Sequence, residues 1–152
     1  MAPQRVGPVM DTPNYVPSPR PFVRDQVDEV EARGTTDGVL MQGRPIVVVS
    51  MRGARTGALR KVPLMRVEHA GRYALVGSQG GSPKHPLWVH NLRAHPEVTL
   101  QDGNRSATYR ADELSGPERE EWWTRAVDAF PPYADYQTKT DRLIPVFLLQ
   151  EV

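Results

Sequence analysis

Gly53-Ala54-Arg55-Thr56-Gly57-Ala58-Leu59-Arg60-Lys61 joins the apolar run 46–50 to Val62-Pro63-Leu64-Met65. The residue types of this junction point to anion chemistry. Together with Arg52 they place four cations within ten residues, beside Thr56 and two glycines. A hairpin turn asks for Gly, Asn or Asp and has no use for clustered cations. Glycine lets backbone N–H groups come close to a ligand, and Arg and Lys satisfy anionic oxygens through charge-assisted hydrogen bonds. Taken alone, a solvated basic turn is the better reading; three further segments reverse that preference. Ser78-Gln79-Gly80-Gly81 ends a strand in paired glycines, which suits either a flexible loop or a backbone that approaches a flat or anionic ligand. Pro86-Leu87-Trp88-Val89-His90-Asn91-Leu92 opens a helix directly after that loop, so its free N–H groups can face the same ligand. Trp88 and Leu92, at i,i+4, read as core, whereas Asn91 on the same face needs hydrogen-bond partners. Tyr133 and Tyr136, three residues apart between a helix and a strand, each offer an apolar face and a proton donor to a planar redox substrate. The competing reading is that one tyrosine plugs the barrel end, while Asp141 and Arg142 fix the last strand by ion pairing.

Other chemistries are excluded or disfavoured. There are no cysteines among the 152 residues, which removes thiol nucleophiles, iron–sulfur clusters, thiolate zinc sites and disulfides. His85, His90 and His95 are five apart and diverge on a helix, so no metal is expected. No glycine-framed serine elbow and no Walker-type phosphate loop occurs. A net charge of +1 gives no global field for nucleic acid, so an anion site must be local. Without a run of ~20 apolar residues, no integral membrane segment is expected, and the expected location is the cytoplasm, at most peripheral to a membrane.

The elements that must position these groups read as follows. Residues 1–20, with five prolines, form an extended or disordered tail. Residues 21–39 hold a helix that Pro21 opens, with Val23, Val27 and Val30 on one face and an end at Gly34, followed by a linker. Residues 40–152 alternate short strands and turns: 46–52, 59–68, 73–78, 97–101, 107–111 and 143–149. Asp102-Gly103-Asn104 is the strongest hairpin signal, and Ser115-Gly116-Pro117-Glu118 a capping box for a helix bearing Trp123, Val127 and Phe130. Pro131-Pro132 stops that helix and a polar loop follows. The expected fold is mixed α+β: a small split β-barrel of about six mostly antiparallel strands in meander order, with two or three short helices.

Taken in order, these segments resemble the deazaflavin-dependent nitroreductase family, split β-barrel oxidoreductases that bind coenzyme F420. The matching pieces are 53–57 with Arg60 and Pro63-Leu64, then 78–81, 86–96 and 132–145. The resemblance implies that Val48, Val49 and Ser50 flank the deazaflavin ring. It implies that Arg55, Thr56, Gly57, Ala58, Leu59 and Arg60 hold the phosphate and carboxylate-rich tail. Ser78 and Gln79 would approach the ring, Leu87, Trp88 and Asn91 would close its other side, Tyr133 would cover it, and Tyr136 would line the substrate pocket. Ala54 and Gln79 stand where the family frequently has basic residues, leaving Arg52, Arg60 and Lys61 to compensate. Val89 replaces an aromatic of some members, implying a wider pocket.

The implied activity is hydride transfer from reduced F420 to a quinone, activated alkene or nitroaromatic, with Ser78, Tyr133 or Tyr136 stabilising charge or delivering a proton. FMN on a similar barrel is the alternative cofactor. A non-catalytic cofactor-binding or haem-binding module, with His90 as axial ligand, is the rival of another kind. A small-molecule substrate is the expected partner, and a homodimer is left open.

Overall fold

The structure is a computed structural model and describes residues 15–152. The chain runs through α1 (Pro21–Arg33), β1 (Leu40–Met41), β2 (Arg44–Arg52), β3 (Leu59–Met65), β4 (Glu68–His69) and β5 (Arg72–Val76). After a single 3-10 turn at Gln79–Gly81 come α2 (Leu87–Ala94), β6 (Glu97–Asp102), β7 (Arg105–Glu113), α3 (Gly116–Ala129), α4 (Pro132–Thr138) and β8 (Val146–Glu151). The strands lie in the order β1-β2-β6-β7-β8-β5-β4, with β3 also on β2, and every strand pair is antiparallel.

The sheet curls because its inner face must be buried against itself. Val47, Val49 and Met51 of β2 meet Leu75 of β5, Leu100 of β6, Tyr109 of β7 and Phe147 and Leu149 of β8 in one cluster. Trp88, Val89 and Leu92 of α2 plug its open side. On the outer face, α3 and α4 cover β5 and β8, where Trp122, Ala126, Phe130 and Tyr133 pack on Ala74, Val76, Val146 and Leu148. α1 lays Val30 over Ile46 and Val48, and ends where Gly34 takes φ 74° and donates to the Val30 carbonyl at 2.8 Å. This left-handed residue is what a helix C-terminus favours.

The split barrel expected from the sequence is the observed fold, and its six longer strands match the six apolar runs. The differences have local causes. The strand order is not a meander: β2 pairs with β6 and β5 with β8, so closure comes from partners distant in sequence. The 59–68 run is split into β3 and β4: the Arg66 N–H still meets the Pro45 carbonyl at 3.1 Å in register with β2, but Pro45 has no N–H to return the bond. Residues 132–138 are a helix rather than a polar loop, since Pro132 sits in the first turn, where its missing N–H costs nothing. Ser115 makes no side-chain cap, and α3 buries Arg119, Trp122 and Ala126 with Trp123 and Val127 at the flank. Ile144 and Pro145 are buried but precede β8: the Pro145 carbonyl accepts from Gly77 at 2.9 Å in register with β5, but Pro145 has no N–H to complete the pair. Of the expected N-terminal tail, residues 1–14 lie outside the described residues. Tyr15 forms a parallel bridge to Leu59, so the following residues are held against β3.

Trp122 is 1% exposed, with the Arg72 and Arg125 guanidinium groups 5.4 and 4.6 Å from its ring. Trp122→Ala should therefore remove about 3–5 kcal/mol of stability, read as a lowered thermal midpoint by circular dichroism.

Candidate functional site

Three elements converge on a cleft of about 300 Å3: β3 through Arg60, Lys61 and Val62, the glycine loop through Gln79, and α2 through Pro86, Leu87, Trp88 and Asn91. The fourth wall is the N-terminal segment, with Val16, Ser18, Pro19, Arg20 and Val23. Leu87 is 78% exposed at the start of α2 and gives the cleft an apolar lip, while Trp88 backs it from the barrel core against Phe147. An apolar slot bordered by cations is what a planar ring with an anionic tail requires.

The basic turn is held in shape by its own backbone. Gly57 donates to Gly53 at 3.0 Å, Gly53 to Ala58 at 2.8 Å, and Ala58 to the Thr56 hydroxyl at 3.1 Å. Asn91 supplies the tether to α2: its Oδ1 accepts from the Ala54 N–H at 2.8 Å, answering why an amide lies on that face. Arg55 and Thr56 are exposed at the tip, and among the described residues no side chain or carbonyl engages the Arg55 guanidinium. The other cations are already occupied. Arg52 reaches the Gly57 carbonyl, and Arg60 donates to the carbonyls of Val16 at 2.9 Å and Pro17 at 3.4 Å. Lys61, 6% exposed, pairs with Glu31 of α1 and lies 4.4 Å from the Tyr15 ring centre. Arg20 of the fourth wall is a further cation lining the cleft, one that the reading of the basic turn alone missed.

Several residues singled out in the sequence lie elsewhere. Val49 faces the barrel core, and Val48 and Ser50 face α1, because β2 is covered on both sides. Leu59 is fully buried, with its carbonyl receiving Val16. Tyr133 is buried among Phe130, Trp123 and Tyr136, and burial pushes its phenol well above the ordinary range, with the neighbouring Tyr136 adding to the rise. Val89 does not widen the cleft; it is fully buried, against Gly77, where a Cβ would come within 2.7 Å of its Cγ2. His90, the candidate haem ligand, is exposed and does not line the cleft. Among the described residues no cluster of three metal-ligating side chains occurs, and no helix is long and apolar enough to cross a membrane.

The glycine loop is cemented from the α4 side. Ser78 is 7% exposed, Gln79 adopts φ 44°, and Gly81, at φ 83°, touches the Tyr136 carbonyl so closely that a Cβ would lie 2.7 Å away. Tyr136 itself is half-buried beside Lys139, 5.6 Å from its ring centre. In the same loop His85 Nδ1 meets Arg142 Nη1 at 2.8 Å, so the ring is neutral with its proton on Nε2. Burial first, then Arg142, Arg93 and His90, hold His85 below its usual value, against an opposing pull from Glu113. A base held down in the folded state binds fewer protons there than when unfolded, so its contribution is complete above the unfolded value of about 6.5 and is lost as pH falls below it. As pH falls from 7 through the unfolded value of about 6.5 the thermal midpoint should fall, and His85→Asn should flatten that slope.

Residues 22–151 match the family model described as F420H(2)-dependent quinone reductase. The F420H(2)-dependent quinone reductase Rv1261c of Mycobacterium tuberculosis is 31% identical over 108 residues, 69% of this chain and 72% of that protein. A solved structure of an F420-H2 dependent reductase, FDR-A, is 57% identical, with a TM-score of 0.67 over 70% of this chain and 95% of the other. A second, described as a domain-swapped dimer, is 54% identical, with a TM-score of 0.70 over 88% of this chain and all of the other. The chain belongs to the F420H(2)-dependent quinone reductase family, oxidoreductases whose cofactor is coenzyme F420.

Proposed function

We propose that this protein reduces a quinone with two electrons from F420H2 held in the cleft between β3, the glycine loop and α2. The observation that carries the reading is an apolar slot, at Val62, Leu87 and Trp88, whose lining residue Asn91 also fixes the turn bearing Arg55, a guanidinium that nothing among the described residues engages. When bound, the reduced deazaflavin supplies the hydride; the protein binds, aligns and excludes water. Arg55, with Thr56 and Gly57, would hold the acidic tail, and Trp88, Leu87 and Gln79 would border the ring. Hydride addition leaves a quinone as its hydroquinone anion, and one proton completes the reduction. Ser78 and Tyr136 are the hydroxyl donors we assign to that charge, with Tyr133 packing edge-on against Tyr136 to fix its ring. Val48, Val49 and Ser50 support the site from within β2 and, in this reading, do not contact the ring. Activated alkenes and nitroaromatics, which also accept a hydride, are secondary acceptors. We further propose a cytoplasmic location and a homodimer; the domain-swapped relative supports the latter.

Titration with F420 and oxidation of F420H2 by menadione test the reading. Arg55→Ala should weaken cofactor binding by ~1.5–3 kcal/mol, the range for a charged hydrogen bond, and unchanged affinity would remove the tail assignment. Tyr136→Phe should keep that affinity and lower kcat about tenfold or more, as expected for loss of a proton donor; wild-type turnover in this variant would exclude the donor role.

A further inference from the structure

Arg142, in the connection from α4 to β8, has no part in the site as assigned above, yet its guanidinium gathers the whole glycine loop. Nε donates to the Ser82 carbonyl at 2.8 Å, Nη2 to the Ser78 carbonyl at 2.7 Å, and Nη1 to the Gly77 carbonyl at 3.1 Å and to His85 Nδ1 at 2.8 Å. The sequence expectation was an ion pair between this stretch and the last strand. Instead, Asp141 is exposed, and among the described residues no carboxylate pairs with Arg142. A cation whose partners are three carbonyl dipoles and a neutral imidazole gains little as a charge. Its value lies in the fixed fork of a planar guanidinium, which reaches acceptors on several sides at once.

The anchor behind the fork is also fixed. Gln137 of α4 donates from Nε2 to the Arg142 carbonyl at 2.8 Å and accepts at Oε1 from the Ile144 N–H at 3.0 Å. The loop is therefore held to α4 by way of Arg142, and held again where Gly81 seats on Tyr136. Gln79, at φ 44°, occupies a backbone region disfavoured for a residue with a side chain, and such a conformation persists only where its surroundings over-determine it.

We propose that Arg142 is a positioning residue that sets the Gln79 wall of the cofactor cleft, acting through the loop backbone and without touching the cofactor. This rests on the assignment of the cleft to F420. Arginine is required, because a lysine ammonium is a point charge on a flexible stem and cannot span carbonyls at 77, 78 and 82 together.

The test uses Arg142→Lys in the full chain, with hydrogen exchange of residues 77–85 in the cofactor-free protein, F420 affinity and menadione reduction as readouts. Loop exchange should rise about tenfold with β2 and β6 unchanged, and F420 affinity should fall about tenfold. Gln79→Ala should weaken affinity in the wild-type background but by less than twofold in the Arg142→Lys background, whereas Arg55→Ala, on the separate basic turn, should keep its full effect in both. Wild-type exchange in Arg142→Lys, or a Gln79→Ala effect that is fully retained there, would overturn the proposal. Should Arg142→Lys fail to fold, His85→Ala removes one acceptor alone and should give a smaller loss with the same non-additivity toward Gln79→Ala; additive losses would overturn it. A wild-type chain that binds no F420 overturns the cleft assignment and this proposal with it. Wild-type binding with additive losses overturns this proposal alone.

Discussion

The architecture hangs on one strand that is buried on both faces. From Ile46 to Met51 β2 has no exposed side: Val47, Val49 and Met51 fill the barrel, and Ile46 and Val48 lie under α1. Apolar burial at roughly 25 cal/mol per Å2 is non-directional, but on a strand whose side chains alternate it fixes register, because a slip of one residue would exchange the two faces. The basic turn is the direct continuation of that strand. Its position relative to α2 is thus set by packing that has nothing to do with cofactor binding, and the Asn91–Ala54 hydrogen bond then fixes its orientation.

This division explains what could be read from the sequence. The hairpin, the glycine loop, α1 with its Gly34 end and the six longer strands follow from local patterning, and the same stretches carry the family resemblance. Long-range pairing was beyond local patterning: nothing near β2 announces β6 as its neighbour, or β8 as the neighbour of β5. The helix at 132–138 escaped because two prolines read as a stop, although proline is favoured in a first helical turn. Tyr133 was read as facing a cleft since its chemistry suits one; its ring is instead buried with Phe130 and Trp123.

The electrostatics were legible as composition but not as partnership. Four cations between residues 52 and 61 look equivalent in a sequence, yet each meets a different fate. Lys61 is drawn inward by Glu31 and covered by Tyr15, and Arg60 is turned to the carbonyls of residues 16 and 17. Arg55 alone of the four stands exposed at the tip. Arg142, which the sequence reading paired with a strand, has become the hub of a loop 60 residues away from it in the chain. In each case a guanidinium or ammonium is directed by acceptors far off in sequence, and no local rule anticipates those.

The bridge from Tyr15 to Leu59 has a consequence for how the molecule keeps to itself. Among the described residues β3 has β2 as its one strand partner, which leaves a row of ladder groups of the kind that invites a foreign strand. The amide of Val16 fills the Leu59 carbonyl, and Pro17 and Pro19 follow at once with no N–H to extend a ladder. The start of that rim is thereby capped by a segment whose prolines at 17 and 19 cannot themselves propagate pairing.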